Sequence, residues 1–271
     1  MSLTKEALQL VNDNALAAAG KPLETNTPTV LVPESVQVIS LEHYQVGRSR
    51  FRGTYSTDSL ADFGGYVVDR NGALAQGFVD QKAMACKVFF NLGDENAPGH
   101  ADDTAVLKLL PTAAFQAVTT IGGKAISQKD LSDWIEDWSL NLKVFDQAGE
   151  EVKLAKAIAG VRNITVKGTT ESDHSVGETR SSRSAMEQIE ASSKDTIPAN
   201  LVFTTVPYEG LSVRDFTFRL SVITSGSQPV LKLRWIGEEV QREEIAQEFK
   251  GVLQLLVQDK ATLRLGNFDA R

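Results

Sequence analysis

The stretch VRDFTFRLSVITSGSQPVLKLRWI, residues 213–236, decides the fold. Its first arm alternates cleanly: Phe216, Phe218, Leu220 and Val222 fall on one side, Thr217, Arg219 and Ser221 on the other. The second arm does the same, with Leu231, Leu233 and Trp235 opposed to Lys232 and Arg234. Strand side chains point to alternate faces, so each arm is a strand with one buried face and one wet face. The intervening TSGSQP is turn chemistry, which joins the arms into an antiparallel hairpin. Pairing Ile223 with Val230 across that turn sets Arg219 opposite Arg234 and Ser221 opposite Lys232. Like charges directly opposite destabilise a sheet unless something neutralises them. The acidic segment GEEVQREE follows at once, so Glu238, Glu239, Glu243 or Glu244 could do so within the chain. A phosphate or an acidic partner is the alternative.

Outward from the hairpin the pattern is α+β. A helix from about Val240 to Gln258 buries Ala246, Phe249, Leu253 and Leu256, and LRL at 263–265 is a closing strand. LVFTTV at 201–206 is another strand. The strongest helix signal is SQKDLSDWIEDW at 127–138, with Ser127 as cap and Leu131, Trp134, Ile135 and Trp138 on one face. Asp130, Asp133 and Asp137 lie on the opposite side, a charged surface or a partner-facing rim. CKVFFNL and TAVLKLL read as a hairpin with the long loop GDENAPGHADD. STDSLADFGGYVVDRNG is a helix with Leu60, Phe63 and Val67 inward, weakened by Gly64 and Gly65. VKLAKAIAGVRNITV at 152–166 is ambiguous between helix and strand, and Ser184 with Glu187 caps a short helix to about Ser192. Short strands are expected at TVLV and SVQVIS. A first helix, Leu3–Ala19, carries Leu3, Ala7, Leu10, Val11 and Ala18 as its apolar stripe and stops at Gly20 and Pro22.

The expected architecture is therefore α+β: antiparallel, hairpin-rich sheets packed with amphipathic helices, plus an N-terminal helical arm. The arm spans 1–27 and a single α+β domain spans 28–271, with a sub-division near 146–170. Strands in hairpin-like pairs disfavour a parallel doubly wound sheet.

Composition narrows the function classes. With 271 residues, 42% apolar and 23% charged, the chain can bury a sizeable core. A net charge of −7 argues against nucleic-acid binding through bulk charge and leaves only local basic patches. Cys86 is the sole cysteine, which excludes an internal disulfide and a thiolate zinc site. Glu6 and Asp13 interrupt the N-terminal apolar stretch, so no secretory signal is read there. No run approaches the roughly 18 apolar residues of a membrane span. A soluble, cytoplasmic protein without membrane association is expected.

Catalytic constellations are weak. Asp173, His174 and Ser175 stand side by side, but consecutive residues cannot form a nucleophilic triad with one another. The loop at 94–103 gathers Asp94, Glu95, His100, Asp102 and Asp103, yet Pro98 and Ala105 occupy positions where a calcium loop needs ligands. Asp133 and Asp137 are wet rather than shifted toward acid–base work. No phosphate loop is present, and Cys86 opens an apolar strand as a packed thiol. No cofactor, metal or catalytic residue is assigned. The best anion signal is GRSRFRG, residues 47–53, where Arg48, Arg50 and Arg52 recur at period two with Phe51 between them. On a strand the three would share one face and suit single-stranded bases; the alternative is an extended loop that pairs with acidic groups of a neighbouring subunit. Arg219, Lys232 and Arg234 form the second basic set.

The strings YSTDSLADFGGYVVD, DLSDWIEDW, RSSRSAMEQIEASS and FRLSVI with LKLRWI resemble the YfdQ-like family encoded by bacteriophages and prophages, over roughly residues 28–265. The resemblance implies a phage or prophage origin and a bacterial cytoplasm, and it supplies no catalytic residues. Three functional readings follow. The first is a non-catalytic, self-associating binding or assembly protein whose partners are copies of itself or a phage or host protein. The second is a single-strand nucleic-acid binder or recombination accessory using Arg48, Arg50, Phe51, Arg52, Arg219, Lys232 and Arg234. The third is a hydrolase built on His100 or His174.

Overall fold

The hairpin read from residues 213–236 is present as antiparallel strands Arg214–Ile223 and Val230–Trp235. Its register is the expected one: Arg219 faces Arg234, Ser221 faces Lys232 and Ile223 faces Val230. The computed structural model describes residues 4–19, 22–23, 29–30, 40–70, 75–164, 196–223 and 229–270. The helix expected at 184–192, the Asp173–His174–Ser175 segment, nearly all of SVQVIS and most of the hairpin turn lie outside the described residues.

The chain divides into two units, Met1–Phe51 and Arg52–Arg271. The described residues of the first include α1 (Lys5–Ala19), a short antiparallel pair β1 (Pro22–Leu23) and β2 (Thr29–Val30), and a 3-10 turn at Glu42–Tyr44. On α1 the apolar side chains Leu8, Leu10 and Val11 are more than half exposed.

The second unit begins with β3 (Gly53–Thr57), α2 (Leu60–Asp69), β4 (Ala75–Asp80), β5 (Ala85–Phe89), β6 (Asp103–Lys108) and α3 (Ala113–Ile121). It continues with β7 (Ala125–Ile126), α4 (Gln128–Asp137), β8 (Leu142–Phe145), β9 (Glu151–Val152) and α5 (Leu154–Arg162), so the ambiguous 152–166 stretch is helical over Leu154–Arg162. After β10 (Asn200–Thr205), β11 (Arg214–Ile223) and β12 (Val230–Trp235), it ends with α6 (Glu238–Val257) and β13 (Ala261–Leu265). Serine and threonine caps start three helices: Ser59, Thr112 and Ser127 each accept a hydrogen bond from the amide three residues on.

A six-stranded sheet runs β7-β12-β11-β10-β8-β9 and is antiparallel throughout. Its inner face carries Leu201, Phe203, Phe216, Phe218, Leu231, Leu233 and Trp235, all buried. Phe115 of α3 meets Phe216 and Trp235 there, while Trp134 of α4 meets Phe203 and Phe218. Leu131 and Ile135 are buried as the helix pattern requires, and Asp130, Asp133 and Asp137 are exposed. A second sheet runs β13-β4-β5-β6-β3. Its centre is the expected hairpin of β5 and β6, but β13 pairs parallel with β4 and β3 parallel with β6. Parallel partners need long crossovers, here through α2 and α6, and local turn signals do not reveal them. The arrangement is α+β, with two mostly antiparallel sheets and helices packed on their apolar faces. Among the described residues no helix is long and apolar enough to cross a membrane.

The two glycines of α2 have different reasons to be there. A Cβ on Gly64 would come within 2.9 Å of Leu256 Cβ on α6, whereas one on Gly65 would meet nothing within 4 Å. Gly64→Ala is expected to destabilise by about 1–3 kcal/mol through overpacking. Its neighbour Gly65→Ala is expected to stabilise by up to about 1 kcal/mol through helix propensity. Urea denaturation of the two variants checks the opposite signs.

Candidate functional site

The outer face of the six-stranded sheet collects the side chains that alternate away from the core. Its register places Phe145 opposite Asn200, Asn200 opposite Arg219, and Arg219 opposite Arg234. One row therefore crosses four adjacent strands at about 4.8 Å per step. Thr217 and Ile236, whose backbones are hydrogen-bonded at 2.8 Å, flank the row on its next turn of the pleat. An open groove of about 480 Å³ is lined by Phe145, Gly149, Asn200, Thr217, Arg219, Arg234 and Ile236. Lys232 stands two residues from Arg234, opposite Ser221. At the other end of the row, Glu151 of β9 faces Phe145.

The acidic segment does not neutralise these cations. β12 turns through Gly237 at φ +70° directly into α6, which carries the carboxylates away to the other end of β11. There Arg214 binds Glu244 at 2.7 Å and Glu248 at 2.9 Å. Burial pushes the Glu248 carboxyl up, but hydrogen bonds from Ser212 and Arg214 outweigh it and hold the group below the ordinary carboxylate range. Glu238 pairs with Arg242 at 2.9 Å. Among the described residues, Arg219, Lys232 and Arg234 have no carboxylate within ion-pair distance. The Asn200 amide and the Thr217 hydroxyl have no hydrogen-bond partner among them either, and the Phe145 ring has no aromatic or cationic neighbour. Asp215, on the same face, is occupied by the Thr204 hydroxyl at 2.5 Å.

The other sequence-selected residues lie apart from this groove or outside it. Residues 45–52 form no strand, since β3 starts only at Gly53, so Arg48, Arg50 and Arg52 do not share a face by period two. The bonds of Ser49 to Glu42, 3.1 Å from its amide and 3.0 Å from its hydroxyl, fold that segment into bends instead. Arg48, Arg50, Phe51 and Arg52 all have contacts within the chain. On α4, Asp130 accepts from the Ser127 hydroxyl at 2.7 Å, and Arg162 of α5 approaches Asp133 at 3.9 Å. In the 93–103 loop the carboxylates build the turn: Asp94 accepts from the amides of Asn96 and Ala97, and Asp102 accepts from Asn91. Asp103 pairs with Arg70, and burial pushes its carboxyl up against the opposing pull of that guanidinium. His43 and His100 are exposed, and among the described residues no three of His, Cys, Asp and Glu converge as metal ligands. Burial pushes the Cys86 thiol up to about 12.

Phe145, Asn200, Thr217 and Ile236 were absent from the residues selected by sequence. The signal for Thr217 was present in the alternation of β11, but the polar side of a strand is ordinarily just wet. Phe145 and Asn200 join the row only through the β8–β10 pairing, which links distant segments and leaves no local trace.

A family model, described as an uncharacterized conserved protein family, DUF2303, matches residues 4–268. The chain belongs to that family. No curated protein and no solved structure matches it.

Proposed function

We propose that this member of the DUF2303 family is a non-catalytic binding protein that takes an anionic partner on the outer face of its six-stranded sheet. One observation carries the reading: Arg219, Arg234 and Lys232 gather on one face with no carboxylate within ion-pair distance among the described residues, although a run of glutamates follows in sequence. Opposed like charges cost stability in the free protein, and a bound anion removes that cost. The lining side chains suit binding rather than turnover. Arginine stays protonated, and asparagine and threonine donate and accept hydrogen bonds without acting as bases at neutral pH. The likeness to YfdQ-like proteins supports a phage- or prophage-encoded protein working in a bacterial cytoplasm. Fluorescence anisotropy with a labelled oligothymidylate of about 16 nucleotides, and competition by inorganic polyphosphate, tests the reading. Binding at low salt that weakens as salt rises is expected. No binding of either polyanion at low salt would remove it.

Self-association is the second part of the proposal. It is supported by α1, whose Leu8, Leu10 and Val11 are 53%, 62% and 60% exposed. Apolar side chains left in water on one helix are covered when copies pack together. Static light scattering at micromolar concentration is expected to give a multiple of the chain mass, and Leu10→Glu is expected to lower it. A monomer before substitution rejects this part.

A further inference from the structure

The geometry points to single-stranded nucleic acid as the anionic partner, with one unpaired base stacked on Phe145 and the adjoining phosphates held by Arg219 and Arg234. This rests on the anion-binding reading above and adds the ligand class. A bare phosphate or sulfate would use the cations and the Asn200 and Thr217 donors, and leave the Phe145 ring idle. A nucleotide uses all of them: a flat face for the ring, donors and acceptors for the amide and hydroxyl, and charge for the guanidiniums.

Their order across the sheet matches the order of groups in a nucleotide. The ring comes first, the amide one strand on, and the two guanidiniums at the second and third strands. Phe145 and Arg219 backbones are thus about 10 Å apart, which arginine's long side chain narrows. Glu151 beside Phe145 makes the ring end acidic, so phosphate is disfavoured there and the polarity of binding is set. Along β12, Lys232 follows Arg234 at about 7 Å, within reach of the next phosphate on an extended strand. An acidic peptide offers Phe145 a flat face only where it carries an aromatic side chain, whereas every nucleotide of a single strand carries one. Duplex DNA keeps its bases stacked and paired, where this open sheet face does not reach them.

The test compares an oligothymidylate with its abasic analogue of equal length, using the full chain. The intact protein is expected to bind the base-bearing strand at least about fivefold more tightly. Phe145→Leu keeps the apolar volume but not the aromatic face, and is expected to erase that preference, so that the two strands bind it equally. Phe145→Trp is expected to retain it. Circular dichroism confirms that each variant is folded. Equal affinity of the intact protein for both strands overturns the inference but leaves the anion-binding reading intact. Failure to bind either strand overturns the inference, and failure to bind polyphosphate as well removes the anion-binding reading with it. An acidic peptide that outcompetes the oligothymidylate assigns the face to a protein partner and likewise overturns the inference.

Discussion

Replacing Arg219 and Arg234 together by alanine is expected to stabilise the free protein and to abolish its binding of anions. The two effects have one origin. In the folded chain the guanidiniums sit directly opposite each other on β11 and β12 with no carboxylate within ion-pair distance among the described residues. Removing an opposed like-charge pair relieves up to about 1 kcal/mol, a rise of about 2–4 °C in Tm for a domain of this size. Each charge-assisted hydrogen bond to a bound anion is worth about 1.5–3 kcal/mol, so losing two weakens binding by at least about a hundredfold. Calorimetric melting of both proteins and anisotropy with the oligothymidylate read the two quantities separately. A purely structural role predicts the opposite sign for stability: the variant would melt earlier.

The largest stability loss is expected from Phe218→Ala. Phe218 is fully buried at the centre of β11, with Trp235 at 6.2 Å and Trp134 at 6.4 Å between ring centroids. Truncation leaves a cavity between the sheet and α4 and costs about 3–5 kcal/mol, a large part of the roughly 5–15 kcal/mol that holds a domain folded. Guanidinium denaturation should show the midpoint falling accordingly. Val213→Ala, at a position 62% exposed just before β11, is expected to change stability by less than about 0.5 kcal/mol. Phe218 lies between Thr217 and Arg219 on the reverse side of the groove, so this core position also holds the site in register.

The sequence was most legible where structure is local. The hairpin at 213–236 could be read to the residue, because strict alternation leaves one register that buries both apolar faces. The capped helix at 128–137 followed from Ser127 and its four-residue apolar spacing. Strand β4 went unread: Gly77 interrupts its apolar run, and the reason for that glycine is Leu263 of β13, whose Cδ2 would lie 2.4 Å from an added Cβ. That contact joins segments almost two hundred residues apart. Gly64 is similar, a helix-weakening residue locally and a close contact for α6 globally. For the site, the cations were visible from β11 and β12 alone, as was the question of what neutralises them. The answer required knowing that α6 directs its glutamates to Arg214. Arg48, Arg50 and Arg52 gave a strong pattern that the backbone does not honour, because period two has meaning only in a strand.

The most direct test of the uncompensated cationic face is the salt dependence of oligothymidylate affinity for the intact chain and for the Arg219→Ala, Lys232→Ala, Arg234→Ala triple variant. Each phosphate contact on a single strand contributes about −0.7 to the slope of log K against log salt concentration, so the variant is expected to lose about two units of slope together with most of its affinity. An unchanged slope and affinity in a folded triple variant would contradict the account.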